Sequence, residues 1–352
     1  MIYIHIPFCK SFCTYCDFYS EICTEGDGKV DAVIDGIISE IRTRSGEIPE
    51  SVNTLYIGGG TPSVLPLCVL ERLVAALPPR SYDEFTVEVN PEDIVTRGRE
   101  YVEGLLRLGV NRISMGVQSF SDEVLRWMNR RHTAEGAVAA FAILREAGVK
   151  NISLDLISGI SLLKDGTLEE TLRQLIRLSP EHVSCYQLSL EEGSALQEMV
   201  DEGLYEEADE DVCLRQYDLV CRMLSEAGYR HYEISSWARP GFEAVHNSAY
   251  WRRVPYIGFG PGAHSFDGTR RSWNSAELTG YVRTSETLTE ENARVESIML
   301  ALRTADGIPA SELPPGITEE LLGEGALERS GDRIRIAEDH FFVSDEIIRQ
   351  LI

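Results

Sequence analysis

The chain has 352 residues, 43% of them hydrophobic and 26% charged, with a formal net charge of −24 and a pI near 4.7. This is the composition of an ordinary globular protein, and its acidity leaves no basic footprint for tracking phosphates, which argues against a nucleic-acid partner. No stretch approaches the apolar length of a membrane span. The N-terminus enters an apolar run at once, so no signal peptide is expected, and the eight cysteines are expected to be reduced thiols of a cytoplasmic protein.

The first predicted element is a strand over residues 2–7. Directly after it, Cys9, Cys13 and Cys16 stand in the order C-x3-C-x2-C. Three thiolates on one short loop can hold three irons of a cubane cluster. Cluster irons are normally held by four cysteines, so the shortfall implies an outside ligand at the fourth iron. Zinc is the competing metal, with His5 or Asp17 as a fourth ligand, but no second Cys/His pair follows at zinc-finger spacing. Three core thiols are the plainest alternative. Cys23, Cys68, Cys185, Cys213 and Cys221 show no ligand spacing.

Further strands are predicted over residues 54–58, 85–90, 112–118, 152–157 and 183–188. Between them lie stretches of helical periodicity, such as Val69, Leu70, Leu73, Val74 and Leu77, or Val212, Tyr217, Val220, Cys221 and Leu224. Strands alternating with helices signal parallel βα units. Six units, with no G-x-G-x-x-G after the first strand, predict an α/β fold: a partial (β/α)6 barrel over residues 1–236. Residues 237–286, rich in Gly, Pro, Trp and Arg, read as loops over the barrel mouth. From Thr289 a helix is expected, with the stripe Val295, Ile298, Met299 and Leu302. A second helix around 319–327, a hairpin through 333–343 and a last helix from Ser344 make residues 287–352 a small C-terminal α+β module of helix–wing type.

The polar motifs fall at the C-terminal ends of predicted strands, where βα barrels keep their chemistry. Gly58-Gly59-Gly60-Thr61-Pro62-Ser63 follows the second strand; such glycines expose backbone to a ligand, or simply make a tight turn. Glu88-Val89-Asn90-Pro91 ends the third, and Met115 to Phe120 ends the fourth. Asp155 lies within the apolar run of the fifth and is expected to point into a polar interior, because unpaired burial is unfavourable.

Together these segments, with H-I-P-F-C at the start, Arg130-x-His132 and Asp155-Leu156-Ile157-Ser158-Gly159, resemble the oxygen-independent coproporphyrinogen III oxidase family of the radical S-adenosylmethionine superfamily, over at least residues 1–265. Where the oxidases carry one more cysteine two positions after the third, this chain has Phe18. Its His246-Asn247-Ser248-Ala249-Tyr250-Trp251 is similar to the family's heme-chaperone branch. A proline usual after the Asp155 segment is replaced, the chain reading Gly159-Ile160-Ser161. The resemblance implies a 4Fe-4S cluster on Cys9, Cys13 and Cys16. It also implies S-adenosylmethionine contacts from Tyr3, Tyr15, Gly59, Gly60, Thr61, Glu88, Gln118, Arg130 and Asp155. His246 is expected to be heme-linked, or else a hydrogen-bonded loop histidine. The function implied is heme binding and transfer, with radical decarboxylation of coproporphyrinogen III as the alternative; no residue is assigned a catalytic role. The partners implied are an electron donor such as a flavodoxin or ferredoxin, and a heme-accepting protein.

Overall fold

Six parallel strands alternate polar and apolar residues along their length, and this alternation shapes the molecule. The computed structural model describes residues 1–24, 28–163 and 166–352. Strands β1 (Ile2–Ile6), β2 (Thr54–Gly59), β3 (Glu84–Val89), β4 (Arg112–Gln118), β5 (Ile152–Ser158) and β6 (His182–Gln187) lie side by side in chain order. All are parallel. One alternating set, including Leu55, Ile57, Val87, Ile113, Met115 and Leu154, joins the main apolar core. The other set is polar: Thr54 and Tyr56, Glu84 and Glu88, Arg112 and Ser114, Ser153 and Asp155, His182 and Ser184. Parallel strands covered on both faces read as unbroken apolar runs. Here one face meets helices and the other a polar interior, so a period of two returns.

The helices on the outer face include α1 (Gly28–Thr43), α2 (Leu67–Ala76), α3 (Pro91–Leu108) and α4 (Asp122–Trp127), then α5 (Ala134–Ala147) and α6 (Thr167–Leu178); the short α7 (Ala195–Asp201) instead meets the cysteine loop, Leu196 N donating to Thr14 O at 2.8 Å, and α8 (Glu210–Glu226) returns to the outer face. The local chemistry of α3 is representative. Asn90 caps it by accepting from Glu92 N, Pro91 opens the first turn, and Gly109 ends it in a left-handed conformation.

The sheet has nine strands rather than six. β9 (Ile257–Phe259) adds parallel to β1 at one edge. At the other edge lies the hairpin β7 (Arg230–Glu233) and β8 (Ser236–Ala238), whose β8 runs antiparallel to β6. Its edges remain open, as a partial barrel requires. Residues 237–286 are therefore not simply loops over the mouth. They supply most of β8, all of β9 and the helix α9 (Val245–Trp251), and then a three-stranded antiparallel sheet of β10 (His264–Phe266), β11 (Arg270–Asn274) and β12 (Arg283–Thr287). α9 docks at the opposite end of the barrel. Its Val245 and His246 amides donate to the carboxylate of Glu84, the first residue of β3, at 2.7 and 3.1 Å. Three-residue strands among glycines and prolines leave no periodicity to read.

The C-terminal segment opens on α10 (Glu290–Ala301), where Thr289 accepts from Asn292 N at 3.1 Å. α11 (Pro315–Glu324) starts and stops earlier than the predicted 319–327, ended by left-handed Gly325. Leu327 instead begins the hairpin β14 (Leu327–Ser330) and β15 (Arg333–Ile336), which β13 (Ile308–Pro309) extends. A 3-10 turn occupies 338–343, where the second half of a hairpin was expected, and α12 (Ser344–Leu351) follows. Ile298, Leu302, Leu321, Ile334 and Ile348 close a second, smaller core. Among the described residues no helix is long and apolar enough to cross a membrane.

Candidate cofactor cavity

The cysteine loop leaves the C-terminal end of β1 and is stitched to the turn after β2. Gly60 N donates to Ile6 O at 2.8 Å and Thr61 N to Phe8 O at 2.7 Å. A Cβ on Gly60 would stand 2.6 Å from Phe8 O, so this glycine is required by the approach of two backbones. The ring of His5 ties the loop's far side, with Nε2 at 2.9 Å from Tyr19 O and Nδ1 at 3.0 Å from the Tyr3 hydroxyl. Beyond α4, Asn129 Nδ2 donates to Phe12 O at 2.7 Å.

Beneath this loop lies a cavity of about 570 Å³. Cys9, Cys13, Cys16 and Tyr15 form its wall on the loop side, and Gly59, Gly60 and Thr61 border it from β2. Glu88, Gln118, Arg130 and Asp155 enter it from β3, β4, the segment after α4, and β5. The cavity thus sits at the carboxyl ends of the parallel strands. All eight cysteines are free thiols. Among the described residues no three His, Cys, Asp or Glu side chains converge on a single ion position. A cubane cluster asks for something different, because each thiolate binds its own iron corner. Three thiols on one cavity wall, with no histidine among the lining residues, fit that donor set.

Two of the carboxylates that line the cavity, Glu88 and Asp155, are held by hydroxyls. Tyr56 donates to Glu88 Oε1 at 2.7 Å and Gly59 N to Oε2 at 3.1 Å. Burial nevertheless pushes the Glu88 carboxyl up to about 7, with repulsion from Asp155 adding to it. Ser114 and Ser153 donate to Asp155 at 3.0 and 3.2 Å, and burial raises this carboxyl too. Arg130 Nη1 donates to Cys13 Sγ at 3.3 Å, and Nη2 to Gly116 O. Burial pushes the Cys16 thiol up to about 11. Gln118 has a left-handed backbone, φ 66°, where the β4–β5 register shifts between Gly116 and Gln118. A bulge of this kind re-aims a side chain, here into the cavity.

Two residues singled out in the sequence stand elsewhere. Tyr3 does not line the cavity; it packs at 6.1 Å between ring centroids from Tyr56 and supports His5. His246, expected to be heme-linked or else hydrogen-bonded, does not line the cavity either. Its Nδ1 pairs with the Thr54 hydroxyl at 2.9 Å and its Nε2 with the Tyr250 hydroxyl at 3.0 Å. The residue is 1% exposed, and burial lowers its pKa to about 3. Both ring nitrogens are thus engaged in hydrogen bonds. Tyr56, Ser114, Ser184 and Asn247 line the cavity without having been singled out as site residues. The first three occupy the polar positions of the period-two alternation, which is the signal that could have found them.

The chain is similar to known proteins along its whole length. A family model described as the radical SAM superfamily matches residues 3–175. The heme chaperone HemW of Lactococcus lactis is 35% identical over 318 residues, covering 87% of this chain and 82% of the relative. The HemW of Mycobacterium tuberculosis is 32% identical over 372 residues, covering 100% and 94%. The solved structure of coproporphyrinogen III oxidase (HemN) from Escherichia coli, a radical SAM enzyme, superposes with a TM-score of 0.84 at 22% identity, covering 99% of this chain and 88% of that one. At that identity the superposition speaks for the fold: an open α/β barrel with a small C-terminal module. With relatives above 30% identity matched over most of their length, this chain belongs to the HemW family of radical SAM proteins.

Proposed function

We propose that this chain holds a 4Fe-4S cluster on Cys9, Cys13 and Cys16, binds S-adenosylmethionine in the adjoining cavity, and carries heme to an accepting protein. Cluster and S-adenosylmethionine together supply one-electron reductive chemistry, for which a flavodoxin or ferredoxin in the same cytoplasm would be the electron source. Arg130 is placed to balance thiolate charge beside Cys13. Glu88 and Asp155 can accept from ammonium or ribose hydroxyl groups. Gly59, Gly60, Thr61, Tyr15 and Gln118 would bound the same ligand.

The observation that favours heme carriage over porphyrinogen decarboxylation is the state of the cavity's cations. Three line it, Lys10, Arg130 and Arg131. Arg131 donates to both carboxylate oxygens of fully buried Asp93 at 3.0 Å, and Lys10 stands 3.3 Å from the same carboxylate. Arg130 is engaged with Cys13 and Gly116. Each of these cations thus already has an anionic or carbonyl partner, which leaves little to grip a tetracarboxylate. The lining is instead rich in exposed aromatic rings: Phe12 is 52% and Phe18 67% exposed, and Tyr186 lines the same cavity, a surface suited to a flat macrocycle. Several of the relatives bear the name heme chaperone.

The test uses chain reconstituted with iron and sulfide under argon. Cys13→Ala is expected to abolish the cluster's EPR and visible signals; an unchanged signal would end the cluster reading. Heme titration should give a stable Soret band while coproporphyrinogen III, S-adenosylmethionine and reductant give no protoporphyrinogen. Turnover without heme retention would reverse the assignment.

A further inference from the structure

The polar interior of the barrel holds a hydrogen-bonded chain that leads away from the cofactor cavity. It starts at Asp155, whose Oδ1 accepts from the Ser153 hydroxyl at 3.2 Å. Ser153 Oγ lies 2.8 Å from His182 Nδ1, and His182 Nε2 lies 2.7 Å from the Tyr232 hydroxyl. The order of donors is fixed from the carboxylate outward. An ionised carboxylate can only accept, so Ser153 donates to it, His182 donates through Nδ1, and the bare Nε2 accepts from Tyr232. The Tyr232 oxygen in turn accepts from Ala244 N at 3.3 Å. Ser153, His182 and Tyr232 are all buried. Burial, with the Arg112 charge adding to it, holds His182 well below its ordinary pKa, so the ring stays neutral and can pass a proton by exchanging tautomers. Tyr232 borders a second cavity of about 180 Å³, which shares no lining residue with the first and is flanked by the exposed Arg230 and Arg252. The chain of hydrogen bonds thus joins a pocket at the β7 edge of the sheet to a carboxyl of the cofactor cavity.

We propose that Tyr232, His182 and Ser153 form a proton path between this second cavity and Asp155, so that the carboxyl exchanges protons with solvent from behind a bound ligand. The Tyr232 oxygen takes a proton from hydronium in the second cavity and passes its own to His182 Nε2. The Nδ1 proton moves to Ser153, and the Ser153 proton to Asp155. One proton enters, one arrives, no electron moves, and the reverse sequence discharges the carboxyl. The charged and titratable groups facing the path are Arg112, Glu88 and Tyr186 around Asp155, and Glu233 beside Tyr232. The inference rests on the reading that S-adenosylmethionine fills the first cavity, since water in an empty cavity reaches Asp155 directly.

The experiment follows the infrared carbonyl band of the protonated Asp155 carboxyl, identified by its absence from Asp155→Asn, after an upward pH jump. It compares the reconstituted full chain with Tyr232→Phe and Ser153→Ala, which remove one hydroxyl from either end of the path, each with and without S-adenosylmethionine. With the ligand bound, both variants should lose the band about a hundredfold more slowly than wild type, the lower end of what a positioned proton-transfer group contributes. Without it, all three should relax alike through the open cavity. Equal rates in the loaded wild type and both loaded variants overturn the proposal. So does a slowing that is the same with and without ligand, because that marks a structural effect. A loaded chain that shows no such band at any pH at which it stays folded overturns it as well. In each of these cases S-adenosylmethionine still binds and this inference alone falls; if the wild-type chain takes up no S-adenosylmethionine, the cofactor reading falls with it.

Discussion

Glu88 shows how a side chain proposed to bind a ligand can also be a stability liability. Its carboxyl is pushed up to about 7 by burial, above the ordinary value of 4.5. Between those values the folded chain holds a proton that the unfolded chain has released. Stability therefore falls as pH rises through this window, by up to about 1.4 kcal/mol per pH unit for this group. Glu88→Gln keeps an acceptor for Tyr56 and removes the titration. The variant's stability relative to wild type is expected to climb from pH 5 to pH 7.5 in denaturant unfolding, and a flat difference would show that Glu88 ionises normally. His246 gives the complementary case. His246→Phe should leave the heme titration unchanged. It should lower stability by about 2 kcal/mol, because the Thr54 and Tyr250 hydroxyls lose their shared partner. A loss of the Soret band in a variant that remains folded would restore a heme role to this histidine. The sequence places an imidazole in the motif, but its hydrogen bond to a residue 192 positions earlier in the chain is not legible there.

At the scale of elements, the turn after β2 and the cysteine loop form one unit. The close approach of Gly60 to Phe8 makes a methyl group there a backbone collision. Gly60→Ala should push the two segments apart and reduce iron incorporation after reconstitution several-fold. Gly46→Ala, where a Cβ meets nothing within 4 Å, serves as the control. Equal iron content in the two variants would mean that the loop tolerates the displacement. The strands that carry this unit are legible in the sequence to within one residue at their ends, because β-rich runs bounded by Gly, Pro and Asn are local signals. The glycine triplet and Glu88 are legible for the same reason, as they stand where local strand signals stop. β9 and α9 are not legible. β9 completes the sheet beside β1 from more than 250 residues away, and α9 owes its place to the Glu84 carboxylate rather than to its own periodicity. The early stop of α11 has a readable cause in Gly325, whereas the 3-10 turn at 338–343 has none in the apolar pattern, which suits a strand equally well.

The whole molecule carries a net charge of −24, and this governs how an anionic ligand arrives. Heme brings two propionates, so its approach is opposed by the protein's long-range field. The three cations bordering the cavity offset little of this, since Lys10 and Arg131 share Asp93 and Arg130 lies against Cys13. Screening lengths shrink from about 30 Å at 0.01 M salt to about 10 Å at 0.1 M, which removes most of the repulsion while leaving contacts inside the cavity intact. Binding held by apolar and aromatic contact at Phe12 and Phe18 should therefore show an association rate that rises with salt and a dissociation rate that barely changes. Stopped-flow recording of the Soret band at several ionic strengths checks both rates. An association rate that falls with salt would reveal an uncompensated positive entry patch. Such a patch is what a tetracarboxylate porphyrinogen needs, and finding it would move the function back toward the oxidase.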